Sequence, residues 1–279
     1  MRSVVLVGAG QMGRAALRMI NRTNCTVSAF ADNNKNIWGS TLCGLPVLSV
    51  EEAVKGNPDG ILIAVAGQER TEQLRHQLQE LGYTGEIRAL AEYAETMDIR
   101  GGVFELLADR LEKIPGDFAE LGVYQGEFAA RINSRFPERT LYLFDTFEGF
   151  DARDMAAETG YSRAATGDFD DTSVELVLSK LCAPEKAVIR KGYFPETAEG
   201  LEAKFAFVSL DADLYEPTYN GLEWFYPRMV SGGVLLLHDY ESARFSGVRA
   251  AVDAYEQAYG RLLLLPVGDL HGSVMVIHP

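Results

Sequence analysis

The 279-residue chain is 47% hydrophobic and 24% charged, the balance of a globular protein with enough chain for one large or two ordinary domains. A formal charge of -14 argues against nucleic acid and anionic membrane surfaces as partners, because phosphate binding needs clustered Lys and Arg. Three cysteines without metal-ligand spacing (Cys25, Cys43, Cys182), immediate entry into SVVLVGAG and the lack of any apolar run near about 18 residues predict a cytoplasmic protein in a reducing compartment.

Residues 4–7 form a short apolar strand, followed by Gly8-Ala9-Gly10-Gln11-Met12-Gly13 and a helical pattern through residue 20. This is G-x-G-x-x-G in strand-turn-helix context, where glycines permit the tight turn and let a phosphate approach the helix N-terminus. A second strand, residues 26–31, ends at Asp32, a candidate acceptor for ribose hydroxyls. Strands at residues 61–65 and 86–89, with a helix at 68–81 between them, complete an α/β domain over residues 1–95. The stretches GAGQMGRAALRMI, FADNN and GLPVLS make this half similar to the small nucleotide-binding N-terminal domains of bacterial sugar-modifying enzymes. That resemblance implies a nucleotide, nucleotide-sugar or NAD(P) ligand held by Gly8, Gly10, Gly13 and Asp32.

Residues 96–102 read as irregular, and residues 103–114 carry apolar positions at helical spacing (Val103, Leu106, Leu107, Leu111, Ile114), a linker helix over 96–114. Pro115-Gly116 then punctuates the chain, and a new α/β series occupies residues 115–279. Its first strand, 118–123, carries Glu120 ahead of a glycine loop with Gly122 and Gly126. The second, 140–144, ends at Asp145. Residues 151–171 are polar and aperiodic, the pattern of a mobile lid or substrate loop, and a helix follows at 173–180. A third strand, 187–191, ends in Gly192-Tyr193-Phe194, which reads either as an adenine-stacking platform or as core.

The site pattern is strongest in FAFVSLDADLYEPTYNGLEWFYPRMVSGGVLLLHDY, residues 205–240. Two apolar runs each end in acidic or metal-capable residues, Asp211 with Asp213 and His238 with Asp239, and residues 215–228 read as the helix of a parallel crossover. In an open parallel sheet these strand ends would face one crevice. Residues 262–267 and 273–278 form a terminal hairpin whose turn carries His271, read as a turn residue.

AELGVYQGEFA resembles the first motif of class I S-adenosylmethionine-dependent methyltransferases. Over residues 117–255 the chain resembles the macrocin O-methyltransferase family, through FAELGVYQGEFA, LYLFDTFEGF, RKGYFPET, VSLDADLYEPTYNGLEWFYPRMVSGGVLLLHDY and GVRAAVDAY. The resemblance implies two Rossmann-like domains, the second a seven-stranded mixed sheet. It also implies methyl transfer from S-adenosylmethionine to a sugar or natural-product hydroxyl, with help from a divalent metal such as magnesium or manganese, in a homo-oligomer. Glu120, Gly122, Tyr124, Gly126, Asp145, Gly192 and Asp211 would hold the cofactor, Asp211, His238 and Asp239 the metal, and Asp211 or His238 would act as base. His238 departs from the family's pair of acids, and imidazole suits softer ions than magnesium. The alternatives are an NAD(P)-dependent or nucleotide-sugar enzyme working through residues 8–13, and a nucleotide-binding sensor without catalysis.

Overall fold

The computed structural model describes residues 1–94, 96–158 and 160–279. The expected first boundary at residue 95, and residue 159 of the expected loop, fall outside them. The chain divides into two compact units, Met1–Asp98 and Ile99–Pro279.

In the first unit β1 (Arg2–Val7) leads into α1 (Gln11–Met19), then β2 (Cys25–Ala31), the short antiparallel pair β3 (Thr41–Leu42) and β4 (Leu45–Leu48), and α2 (Val50–Lys55). The chain continues through β5 (Gly60–Ile63), α3 (Gln68–Glu80), β6 (Glu86–Ala89) and α4 (Leu90–Ala94). The sheet order is β3-β4-β2-β1-β5-β6, so the central strand β1 lies where the order reverses, between β2 and β5. Ser49 opens α2 with a capping box: its hydroxyl accepts the Glu52 N–H, and the Glu52 carboxylate accepts the Ser49 N–H.

The second unit opens with α5 (Ile99–Leu111), four residues earlier than the apolar spacing suggests. Its Phe104, Ala108 and Leu111 are fully buried against Phe118, Phe136 and Phe207, so the expected linker is part of this unit's core. There follow β7 (Asp117–Leu121), α6 (Glu127–Arg135), β8 (Leu141–Asp145), α7 (Ala152–Ala157), α8 (Val174–Lys180) and β9 (Ala187–Lys191). The chain ends with β10 (Phe205–Leu210), α9 (Tyr215–Phe225), β11 (Met229–Leu237), α10 (Gly247–Tyr259), β12 (Leu264–Pro266) and β13 (Val274–Ile277). The expected 215–228 helix stops at Phe225 and tightens into a 3-10 turn carrying Pro227, which has no N–H to continue the ladder.

Seven strands pair in the order β12-β13-β11-β10-β7-β8-β9. Five are parallel, while β13 runs antiparallel to both β11 and β12. Every residue of β10 is buried, as its unbroken FAFVSL run requires of a parallel strand covered on both faces. Phe194 also belongs to this core, stacked on Phe225 at 5.6 Å and edge-on to Phe144 at 5.5 Å, so its ring is committed to packing. Among the described residues no helix is long and apolar enough to cross a membrane, and all three cysteines are unbridged.

Candidate functional site: the crevice at the strand-order reversal

The sheet of the second unit reverses its order between β7 and β10, and the chain register sets the site there. Leu210 lies opposite Leu121 on one side and Leu237 on the other. The next residue of each strand therefore meets its neighbour: the Asp211 N–H donates to the Leu121 carbonyl at 2.8 Å and the His238 N–H to the Leu210 carbonyl at 2.9 Å. Gly122 occupies the position beside Asp211 with φ +84°, and a Cβ there would stand 2.0 Å from the Asp211 carbonyl oxygen. Only glycine allows both that backbone conformation and that approach.

Asp145, at the end of β8, accepts the N–H groups of Val123 and Tyr124 on one oxygen and that of Phe147 on the other. It thereby fixes the loop after β7, in which Tyr124 has φ +50° and Gly126 φ +84° as the N-cap of α6. The Tyr124 hydroxyl donates to Asp171 at 2.7 Å, tying this loop to the 151–171 segment. Gly192 donates its N–H to the Asp145 carbonyl at 2.9 Å. The described residues of the 151–171 segment carry regular structure and specific contacts. They include α7, whose buried Asp154 accepts the Tyr193 hydroxyl at 3.1 Å, and Glu158, which accepts the Tyr215 N–H at the start of α9 at 2.8 Å. Tyr161 stacks on Tyr215 at 5.2 Å.

The crevice joins an inner carboxylate to an outer acidic cluster. Glu120, 1% exposed, accepts the Ser209 hydroxyl at 3.2 Å on one oxygen, while its other oxygen is buried with no hydrogen-bond partner among the described residues. Burial pushes its carboxyl up to about 8, against the pull of Arg100. Asp211 takes a hydrogen bond from Arg100 at 2.5 Å on Oδ2 and lies 2.9 Å from His238 Nδ1 on Oδ1. Burial alone would raise Asp211, but the His238 and Arg100 cations hold it well below the ordinary carboxylate range. His238 Nδ1 also meets Asp239 at 3.0 Å. Burial alone would lower His238, but Asp211, helped by the hydrogen bond to Asp239, raises it to about 10. Asp213 goes the other way: burial first, then the charges of Asp211 and Asp239, push it well above the usual range. Asp213 and Asp239 both adopt positive φ, +60° and +54°, a conformation that Asp tolerates better than most residues and that clusters at functional sites.

Asp211, His238 and Asp239 each offer one ligand atom, all within 4.8 Å of one another. This donor set of two carboxylates and one imidazole fits a divalent ion, with manganese, iron or zinc better matched than magnesium. The His271 ring lies 5.0 Å from that of His238, so the terminal turn reaches the same cluster. Arg100 was not legible as a site residue, because Gly101 and Gly102 are poor helix formers and hide the start of α5.

In the first unit the analogous reversal lies at β1 and β5. Gly8 has φ +114° and would place a Cβ 2.5 Å from the Ala64 carbonyl, and a Cβ on Gly13 would fall 2.0 Å from the Gly8 carbonyl. A Cβ on Gly10, by contrast, would meet nothing within 4 Å, so the N-terminus of α1 faces open space there. Asp32 accepts the N–H groups of Ala9 and Asn34, each at 2.8 Å, bracing the glycine turn as Asp145 braces its own loop.

Counted from the first strand of the second unit, the order is 3-2-1-4-5-7-6 with the seventh strand antiparallel, and that is the sheet of a class I methyltransferase. The fold is shared with the O-methyltransferase NovP (TM-score 0.51, 22% identity, covering 64% of this chain and 77% of that one). It is also shared with CalS11, a calicheamicin methyltransferase (TM-score 0.54, 20% identity, 76% and 94%). Residues 100–265 match the model of the macrocin-O-methyltransferase (TylF) family, and the chain belongs to that family. Residues 1–72 match the model of the CoA binding domain.

Two relatives are similar in sequence. The 8-demethyl-8-(2,3-dimethoxy-alpha-L-rhamnosyl)-tetracenomycin-C 4'-O-methyltransferase of Streptomyces olivaceus is 25% identical over 175 residues, 57% of this chain and 64% of that protein. The mycinamicin III 3''-O-methyltransferase of Micromonospora griseorubida is 28% identical over 162 residues, 53% and 63%. The matches thus span less than two thirds of each relative's length.

Proposed function

We propose that the protein is an S-adenosylmethionine-dependent O-methyltransferase acting on a hydroxyl of a sugar or sugar-bearing natural product, assisted by a divalent cation. The observation that carries this reading is Glu120: a buried carboxylate with an unpartnered oxygen, at the strand reversal and beside Asp211, is a ready acceptor for the ammonium of an amino-acid ligand. The names of the two relatives support a sugar acceptor. Three unbridged cysteines fit a cytoplasmic setting.

Methyl transfer from a sulfonium is an in-line displacement on an activated donor, for which positioning can supply on the order of 7–11 kcal/mol. Glu120 and the loop of Gly122, Tyr124 and Gly126 hold the donor, with Asp145 and Gly192 shaping its far side. Asp211, His238 and Asp239 would hold the cation, which when bound lowers the pKa of a hydroxyl oxygen. Asp211 would take up the acceptor's proton, and His238, raised to about 10 in the free cluster, would give up its own proton to ligate the cation. The described residues between α7 and residue 171, tied to the crevice loops through Asp171–Tyr124 and Glu158–Tyr215, would shield it from water.

Calorimetry with S-adenosylhomocysteine, with and without Mn2+, tests the reading. Saturable binding is expected, and an absence of binding under both conditions rules it out. Asp211→Asn is expected to lower turnover by at least about a hundredfold while the nucleoside product still binds.

A second site in the first unit is favoured by Gly10. We read the N-terminus of α1, where the N-cap Gly10 has no side chain to cap it, as the seat of a phosphate from a nucleotide ligand of the CoA or NAD(P) kind. Gly10→Asp leaves the packing intact and is expected to abolish fluorescence-detected binding of such a nucleotide; unchanged binding would remove this reading.

A further inference from the structure

We propose that Arg100 couples the two sides of the crevice: it holds Asp211 and exchanges that carboxylate for the one on the amino-acid end of S-adenosylmethionine, which yields Asp211 to a divalent cation. The inference rests on the methyltransferase reading and goes beyond it by making donor and cation binding interdependent through one side chain.

Three observations lead there. First, Arg100 stands between the two acids of the strand reversal. Its Nη1 is 2.5 Å from Asp211 Oδ2 and its Nη2 is 3.7 Å from Glu120 Oε1. Second, Glu120 has a buried oxygen suited to an ammonium group. In an α-amino acid the ammonium and carboxylate share one carbon, so an ammonium seated on Glu120 brings its carboxylate within a few ångströms. Among the described residues Arg100 is a cation in contact with Glu120, and a guanidinium matches a carboxylate in plane and spacing. Third, the guanidinium lies over the Phe128 ring, 4.1 Å from its centroid, on a flat support across which it can pivot without losing contact.

The exchange has a direct consequence for the outer cluster. Asp211 is a member of the three-residue ligand set, and a divalent cation beside it repels a guanidinium hydrogen-bonded to the same carboxylate. Drawing Arg100 toward the donor relieves that repulsion and leaves one Asp211 oxygen for the cation, while His238 remains on the other. Linkage then requires the cation to tighten donor binding by the same factor.

Titration of the full chain with Mn2+, with and without S-adenosylhomocysteine, tests the coupling in the wild-type protein and in Arg100→Gln and Arg100→Lys. In the wild type the nucleoside is expected to tighten Mn2+ by at least about fivefold, with a reciprocal gain for the nucleoside. Arg100→Gln is expected to bind Mn2+ alone as tightly as the wild type does with the nucleoside, to lose the coupling, and to weaken the nucleoside by roughly tenfold. Arg100→Lys should retain part of the coupling. Coupling that survives in Arg100→Gln, or Mn2+ binding weakened by that substitution, overturns the proposal. Should Arg100→Gln fail to fold, the absence of coupling in the wild type would also overturn it. A wild type that binds the nucleoside but shows no coupling leaves the methyltransferase reading standing, whereas one that binds no nucleoside removes both.

Discussion

At the scale of single residues, the carboxylates at the strand ends could be read from the sequence because a strand that runs apolar to its last position and then turns acidic has little use for the acid except as a cap or a ligand. Gly122 illustrates how tightly such an end is built. An alanine there must adopt a strained backbone with φ +84° and set its methyl 2.0 Å from the Asp211 carbonyl, so Gly122→Ala is expected to cost at least about 3 kcal/mol, read as a lower urea midpoint for the second unit. Gly10→Ala, with nothing within 4 Å of the added carbon, should leave the midpoint of the first unit nearly unchanged. Legibility failed where the partner comes from a distant part of the chain. Arg100 reaches Asp211 across 111 positions of sequence, and Asp213 acquires its raised pKa from burial, from the adjacent Asp211 and from Asp239, of which burial and Asp239 come only with the fold.

At the scale of elements, most strands were visible to within a residue or two, since apolar runs bounded by Gly, Pro and Asp have little freedom to be anything else. The polar 151–171 stretch lacked such a signal. Its α7 is held by a few specific contacts, an Asp151 cap and the Asp154–Tyr193 hydrogen bond, rather than by a periodic apolar face. Those contacts make this segment sensitive to pH. Burial, reinforced by Asp151 and Glu216, raises the Asp154 carboxyl to about 6 from its ordinary 3.8. A carboxyl raised by folding contributes stability that is full below its unfolded pKa and is lost as pH climbs through the folded value. Asp154→Asn is therefore expected to raise the melting temperature at pH 8 relative to wild type, with a smaller gain or none at pH 4. An equal shift at both values would show that ionisation of Asp154 plays no part.

At the scale of the whole molecule, the two units have separate cores, and the boundary between Asp98 and Ile99 assigns α5 to the second. A chain beginning at Ile99 is expected to melt cooperatively and to bind S-adenosylhomocysteine as the full protein does. One beginning at Pro115 strips Phe104, Ala108 and Leu111 from Phe118, Phe136 and Phe207, and is expected to aggregate or bind dye as a loosened core. The two-unit organisation was legible because each half begins with its own strand and glycine turn. The exact division was not, because two glycines in the first turn of α5 imitate a linker. The approach of Gly122 to the Asp211 carbonyl bears on how such a protein can diversify. The floor of the crevice is main chain against main chain, with its spacing set by the register of β7 on β10, and at Gly122 it leaves no room for a Cβ. On the proposed function, selection for a new acceptor then works on the segment carrying Tyr161 and the turn carrying His271, and directed evolution confined to those two stretches is expected to alter which hydroxyl is methylated while the donor's seat stays the same.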